Sequence, residues 1–293
     1  MRRSILFMPG NNPGMLLNAD ILGADGIILD LEDAVSPKEK DAARILVRNA
    51  IRYLGYKKSE VIVRINSLDT EFWTKDLDEI IPYKPDFIMV PKISTAADIL
   101  VADEYITKLE EKLGFEKNTV KLMPLVETAL GVENAYAIAS ATERVRAMLL
   151  GGEDLTADLR CKRTKEGNEI FYSRSRIVVA CRAAGIDCYD TPFTDVNDAE
   201  GLIKDAEFAK SLGFTGKSSI SPRHVADINA VFSPTQADID YAIEVMAIIK
   251  EAKEKGLGVV ALRGKMIDAP IVERARQVIE MEKAMFGEVE DDE

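Results

Sequence analysis

Three carboxylates stand at or just past the ends of apolar, strand-like runs: Glu32 in IILDLEDAV, Glu127 in KLMPLVET and Asp154 in AMLLGGED. Packing alone accounts poorly for them, because an isolated buried charge is costly unless it is paired or metal-bound. If these runs are strands of a (β/α)8 barrel, their C-terminal ends converge on one mouth. Glu127 and Asp154, far apart in sequence, then meet in space. Two carboxylates at an open mouth suit Mg2+, which takes a few oxygen ligands and keeps several waters. A plainer reading stands beside this one: each precedes a helix or loop, and carboxylates are stabilised at helix N-termini. Gly151 and Gly152, directly before Glu153 and Asp154, favour the ligand, since two glycines let backbone approach it closely.

Asp30, Glu32 and Asp33 crowd one strand end, where not all three can be solvated. At least one should pair with Arg64 or Lys92, and another is placed to hold a metal-bound water. Arg64 closes the run VIVRIN. An Arg within a strand must be paired, and its planar fork suits bidentate carboxylate recognition. A structural ion pair with Glu32 or Asp33 and a contact to substrate are compatible there. Lys92 follows FIMVPK and reads either as a Schiff-base lysine or as an ion-pair partner of Glu32 or Glu127. The ion pair is the better reading, because a metal site removes the need for an imine electron sink. His224 is the only histidine. It supports neither a Ser-His-Asp arrangement nor a His-rich metal site and reads as a surface or capping residue. Asp268, before Pro270 in GKMIDAPIVERA, reads as a helix N-cap, and a catalytic Asp delivered by a lid would look the same.

The elements that must position these residues are legible as an alternation. Eight strand-like runs (5–8, 26–31, 61–65, 87–90, 121–126, 147–150, 186–189 and 216–220) are separated by stretches of helical periodicity at 38–54, 96–113, 132–141, 173–184 and 199–212. Eight βα units in series predict a closed α/β barrel. The alternative is an open doubly wound sheet, but no GxGxxG follows the first strand. The predicted organisation is a (β/α)8 TIM barrel over 1–222, a C-terminal helical lid over 223–286 and an acidic tail over 287–293. The lid comprises helices at 235–255 and 270–286 with a Gly-punctuated hairpin between. The length of 293 residues and the 47% apolar content supply one large core with an extension. A net charge of −12 disfavours nucleic acid and anionic membrane as partners. Cys161, Cys181 and Cys188 show no CxxC spacing and read as free thiols of a reducing compartment. No apolar run reaches membrane-span length and no signal-peptide core follows the start, so the expected location is cytoplasmic.

An ordered set of motifs runs over nearly the whole chain: RRSILFMPGNNP at the start, LDLEDAV at 29–35, VRIN at 63–66, VPK at 90–92, LVET at 125–128, LGGEDLTADL at 150–159, SRSRIVVACRAAGI at 173–186, GFTGKSSISPRH at 213–224 and GKMIDAP at 264–270. This set resembles the citrate lyase β subunits, the citryl-thioester lyases, within the broader CitE-like/malyl-CoA lyase family of the HpcH/HpaI aldolase superfamily. The resemblance implies a (β/α)8 barrel with a C-terminal helical lid and a homo-oligomer, often a trimer. It implies Mg2+ held by Glu127 and Asp154, Arg64 on a substrate carboxylate or carbonyl oxygen, and Asp268 as a lid aspartate reaching a neighbouring subunit's active site.

The reaction so implied is retro-Claisen cleavage of a citryl thioester, borne on CoA or on a phosphopantetheine-type arm, to oxaloacetate and an acetyl thioester. Asp268 would take the hydroxyl proton and Arg64 would stabilise developing negative charge. Glu32 and Asp33 complete the expected catalytic set. Gly10, Asn11, Lys92 and Gly152 are the further expected substrate contacts, with Asn12 beside the thioester arm and Lys38 and the N-terminal arginines on a phosphate. The partners implied are a transferase (α) subunit and a small acyl carrier (γ) subunit. The alternative is a malyl-CoA or methylmalyl-CoA lyase, or a malate synthase-like condensing enzyme. From another class, a non-catalytic carrier-binding scaffold is opposed by the intact set Glu127, Asp154, Arg64 and Asp268.

Overall fold

The computed structural model describes residues 2–254 and 260–286. β1 (Ser4–Pro9) leads to α1 (Pro13–Asn18), β2 (Gly26–Asp30) to α2 (Lys40–Leu54), β3 (Glu60–Arg64) to α3 (Trp73–Ile80), and β4 (Phe87–Val90) to α4 (Ala96–Leu113). β5 (Lys121–Val126) is followed by the short α5 (Ala129–Glu133) and α6 (Ala135–Ala139), and β6 (Ala147–Leu150) by α7 (Gly152–Asp158) and α8 (Phe171–Ala184). β7 (Asp187–Asp190) precedes α9 (Ala199–Leu212), and β8 (Gly216–Ser219) precedes α10 (Val225–Phe232). The eight strands are parallel, and β8 pairs with β1 to close the barrel. All eight predicted strands are present, within a residue or so of their expected ends. The helix expected over 132–141 is instead the pair α5–α6, starting earlier because the Thr128 hydroxyl accepts the Gly131 N–H and caps α5.

Strand periodicity builds the site. Successive side chains on a strand point to opposite faces. One set, including Ile5, Ile28, Ile62, Met89, Met123, Leu125, Leu149 and Tyr189, fills the barrel. The alternate set, including Leu6, Met8, Ile27, Leu29, Val63, Ile88 and Leu150, packs beneath the helices. Each such side chain, fully buried, contributes about 1.5–3 kcal/mol relative to exposure. One more step along the inward rows gives Asp30 after Ile28, Arg64 after Ile62, Glu127 after Leu125, Gly151 after Leu149 and Thr191 after Tyr189. The chemistry-bearing residues thus form the top layer of the barrel core. The opposite end is closed by Arg2, whose guanidinium lies 4.7 Å from the centre of the Phe87 ring, donates to the Tyr189 hydroxyl at 2.9 Å and pairs with Glu60 and Asp187.

The compact unit that holds the barrel is Arg2–Phe232. It takes in α10, which the sequence reading places beyond the barrel, because Ile228 and Phe232 are buried in the main core. A second unit starts at Ser233. Its α11 (Gln236–Glu254) and α12 (Ala269–Phe286) flank an antiparallel hairpin, β9 (Val260–Leu262) with β10 (Lys265–Ile267). Ala242, Val245, Ile267 and Ala275 form its core. The acidic tail over 287–293 and the first part of the predicted hairpin segment lie outside the described residues. Among the described residues no helix is long and apolar enough to cross a membrane.

Candidate active site at the barrel mouth

A cavity of about 310 Å3 opens at the C-terminal strand ends. Phe7 and Pro9 of β1, Asp30 and Asp33, Arg64, Glu127, Gly151 to Asp154, Thr191 and Ile220 line it. Arg64 is held from one side by Asp30, its register partner across β2–β3. Nε donates to Asp30 Oδ1 at 2.7 Å and Nη2 to Oδ2 at 2.6 Å. The remaining Nη1 lies 3.0 Å from Glu32 Oε2 and 4.0 Å from Asp33, and the guanidinium sits 5.1 Å from the Phe7 ring centre. Burial opposes its charge, but Asp30, Glu32 and Glu127 outweigh burial and push its pKa up. Arg64 is a permanent cation with two donors fixed and one edge turned to the carboxylates of the mouth.

Glu32 is buried and also meets Lys92 Nζ at 2.9 Å. Burial raises its pKa in spite of Arg64 and Lys92. The ion-pair reading of Lys92 is therefore the one observed, and Glu32 raises the lysine's pKa, opposite to what an imine-forming amine needs. Lys92 has a left-handed backbone, φ 56°, which aims its N–H at Glu127 Oε1, 2.7 Å away.

Glu127 carries the electrostatic signature of the site. Burial pushes its carboxyl up to about 8, and the negative charges of Glu32 and Asp154 add to that. Gly151 is required beside it, because a Cβ there would stand 2.7 Å from Glu127 Oε2. Gly152 donates its N–H to Thr191 Oγ1 at 2.9 Å, and a Cβ on it would collide with the same side chain. This contact anchors the start of α7, whose first turn holds the exposed Asp154. Among the described residues no three His, Cys, Asp or Glu form a metal-binding group. Two carboxylates on one cavity, one of them buried and short of positive charge, fit a Mg2+ ion that keeps water and takes substrate oxygens.

Other expected contacts lie elsewhere. Gly10 does not line the cavity: its N–H bonds the Asp30 carbonyl and a Cβ would stand 2.5 Å from that oxygen, so it serves close strand approach. Asn11 donates to Glu39 at 2.9 Å, and Asn12 caps α1. Arg2 and Arg3 precede β1 at the closed end of the barrel, where Arg3 binds Asp25, so neither can meet a phosphate at the mouth. His224 is buried beside Phe193 rather than on the surface. Asp268 is exposed in the C-terminal unit, where its carboxylate accepts the Ile271 N–H and caps α12.

Sequence reasoning missed Thr191 and a buried set of four charges behind it. Arg174 donates to both oxygens of Asp190 at 2.9 Å and to Asp205 at 2.6 Å. Lys217 reaches Asp190 and Asp205 at 2.6 Å and donates to the Thr191 carbonyl at 2.7 Å. The two pairs cancel, and Lys217 and Arg174 together overcome burial to hold the Asp205 carboxyl below its usual range. Through Thr191 this set positions Gly152. Arg174 and Lys217 both lie in motifs quoted above, which signalled importance without a role.

The family model for HpcH/HpaI aldolase/citrate lyase matches residues 3–222. Citrate lyase subunit beta from Leuconostoc mesenteroides subsp. cremoris is 44% identical over 284 residues, spanning 97% of this chain and 94% of that protein. L-malyl-CoA/beta-methylmalyl-CoA lyase from Cereibacter sphaeroides is 34% identical over 297 aligned positions, spanning 94% and 93%. Among solved structures, CitE from Mycobacterium tuberculosis in complex with magnesium, acetoacetate and coenzyme A superposes with a TM-score of 0.77 at 28% identity, covering 96% of this chain and 97% of that one.

Proposed function

The chain belongs to the HpcH/HpaI aldolase/citrate lyase family, and on that premise we propose that it is a magnesium-dependent carbon–carbon lyase. It cleaves a citryl thioester, on CoA or an acyl carrier, to oxaloacetate and an acetyl thioester. The observation that carries the reading is one cavity lined by Arg64, Glu127 and Asp154. Glu127 and Asp154 hold the metal, which as a Lewis acid lowers the pKa of the substrate hydroxyl. Arg64, fixed by Asp30, presents Nη1, the edge it shares with Glu32, to a substrate carboxylate and to the negative charge that develops as the carbon–carbon bond breaks. Glu32 and Asp33 hold that edge in place, and Glu32 keeps Lys92 at the rim. Asp268, supplied by a neighbouring copy of the chain, takes the hydroxyl proton; the carbon–carbon bond then breaks to give oxaloacetate and a thioester enolate, which takes up a proton at carbon to become the acetyl thioester. Transferase and acyl carrier subunits complete the assembly, which works in the cytoplasm.

The decisive experiment is oxaloacetate release from citryl-CoA with and without EDTA, with malyl-CoA in parallel. Release that needs metal and outpaces malyl-CoA cleavage supports the reading. Preferential glyoxylate release from malyl-CoA moves the chain to the malyl-CoA lyase branch, which the Cereibacter relative represents.

A further inference from the structure

A citryl group on a pantetheine arm puts its reacting carbons in the mouth and its phosphate well outside it. That phosphate needs cations on the mouth side of the barrel. Within the described residues, the segments leading from each strand's C-terminal end to the next long helix carry seven: Lys38, Lys92, Arg160, Lys162, Arg163, Lys165 and Arg223. Lys92 is committed to Glu32, and Arg223 lies 3.4 Å from Asn197 Oδ1. Four of the seven fall within 160–165, in a chain of net charge −12.

Inside that run the roles divide. Arg163 braces the loop from within: it donates to Glu169 and to the Thr164 carbonyl, each at 2.7 Å, and its Nε lies 3.6 Å from Glu153, the neighbour of Asp154. Lys165 bridges Asp195 and Asp198. Arg160 and Lys162 are exposed, and among the described residues neither pairs with a carboxylate. Arg160 holds a left-handed backbone, φ 55°, uncommon for a residue that is not glycine. The loop is thus braced internally through Arg163 and Glu169, passes close to Glu153 on the cavity rim, and leaves two exposed cations unpaired among the described residues.

The spacing agrees with this. α7 starts at Gly152 on the cavity and runs seven residues to Asp158, about 10 Å at 1.5 Å per residue, and Arg160 and Lys162 follow just beyond. A pantetheine arm is equivalent to roughly four extended residues, on the order of 14 Å. We propose that the loop after α7, through Arg160 and Lys162, binds the phosphate at the far end of the phosphopantetheine arm. This rests on the thioester-lyase reading above. The phosphate is common to CoA and to a carrier-borne arm.

The test uses the full chain with Arg160→Asn and Lys162→Gln together; Asn tolerates the left-handed backbone. The readout is the kcat/KM ratio of citryl-phosphopantetheine to citryl-pantetheine, thioesters that differ only in the phosphate. The double variant is expected to lower that ratio about ten- to a hundredfold, the loss of charge-assisted contacts. Equal losses with citryl-CoA and a carrier-borne citryl group assign the contact to the shared phosphate. An unchanged ratio overturns the proposal, as does loss confined to citryl-CoA, which would place the contact on the nucleotide. So does a Lys38→Gln variant that abolishes the phosphate preference when the double variant does not. Calorimetric titration with phosphopantetheine and with pantetheine reads the same preference without turnover, so the phosphate site can be judged even if no thioester is cleaved.

Discussion

As the proposed metal ligand, Glu127 would couple metal binding to a proton. Its carboxyl, pushed up to about 8, is mostly protonated at neutral pH in the metal-free protein, and a metal ligand must give that proton up. Mg2+ affinity should therefore rise with pH below about 8, release up to one proton, and level off above that value. Calorimetry in buffers of different ionisation enthalpy counts the proton; none released at pH 7 would remove Glu127 from the ligand set. Gly151 gives a second prediction at this scale. Gly151→Ala places a methyl 2.7 Å from Glu127 Oε2 and should weaken Mg2+ by at least about tenfold while the far-ultraviolet spectrum stays unchanged. Unaltered metal affinity would show that the carboxylate can yield. The acidic and basic residues at the strand ends were legible in the sequence because their types clash with apolar strands. The partner choice of Arg64 was not: the sequence points to Glu32 or Asp33, and only the β2–β3 register sets Asp30 opposite Arg64.

At the scale of elements, the four-charge set ties α8 and α9 to β7 and β8. Lys217→Met leaves Asp190 and Asp205 with Arg174 alone, and breaking a buried ion set on one side costs about 3–5 kcal/mol. A urea midpoint shift worth less than about 1 kcal/mol would mean that water takes the place of Lys217. The pH dependence follows from Asp205, whose folded pKa is lowered. Its stabilising contribution is complete above the ordinary aspartate pKa and is lost as pH falls through the lowered folded value. Asp205→Asn should thus be less stable than the parent at neutral pH, with the gap narrowing in acid. Strands and long helices were readable from periodicity, whereas this network was not. Its members come from four separate segments, and nothing local distinguishes a buried Arg on α8 from a solvated one.

At the scale of the molecule, the proposed mechanism assigns separable duties to the two compact units. A chain ending at Phe232 keeps the whole barrel and the Glu127/Asp154 pair. It should fold, bind Mg2+ with near-parental affinity and fail to turn over for want of Asp268; full turnover by the truncated chain would exclude Asp268 as the base. The origin of that base has its own test. Mixing Asp268→Asn and Glu127→Gln chains should recover activity that neither has alone if Asp268 serves a neighbour's barrel, whereas silence in a mixture shown to co-assemble would reject it. The (β/α)8 architecture was visible in the eightfold alternation, but the end of the barrel unit was not, since α10 resembles a linker helix until Ile228 and Phe232 are seen in the core. The reactive residues continue the inward rows of the barrel core, so a one-residue slip of β2, β3 or β5 would turn a site residue outward and an aliphatic one into the mouth. Turnover regained after denaturation would then count only chains whose strands have returned to register, making the catalytic assay a proofreader of refolding that spectroscopy of secondary structure cannot replace.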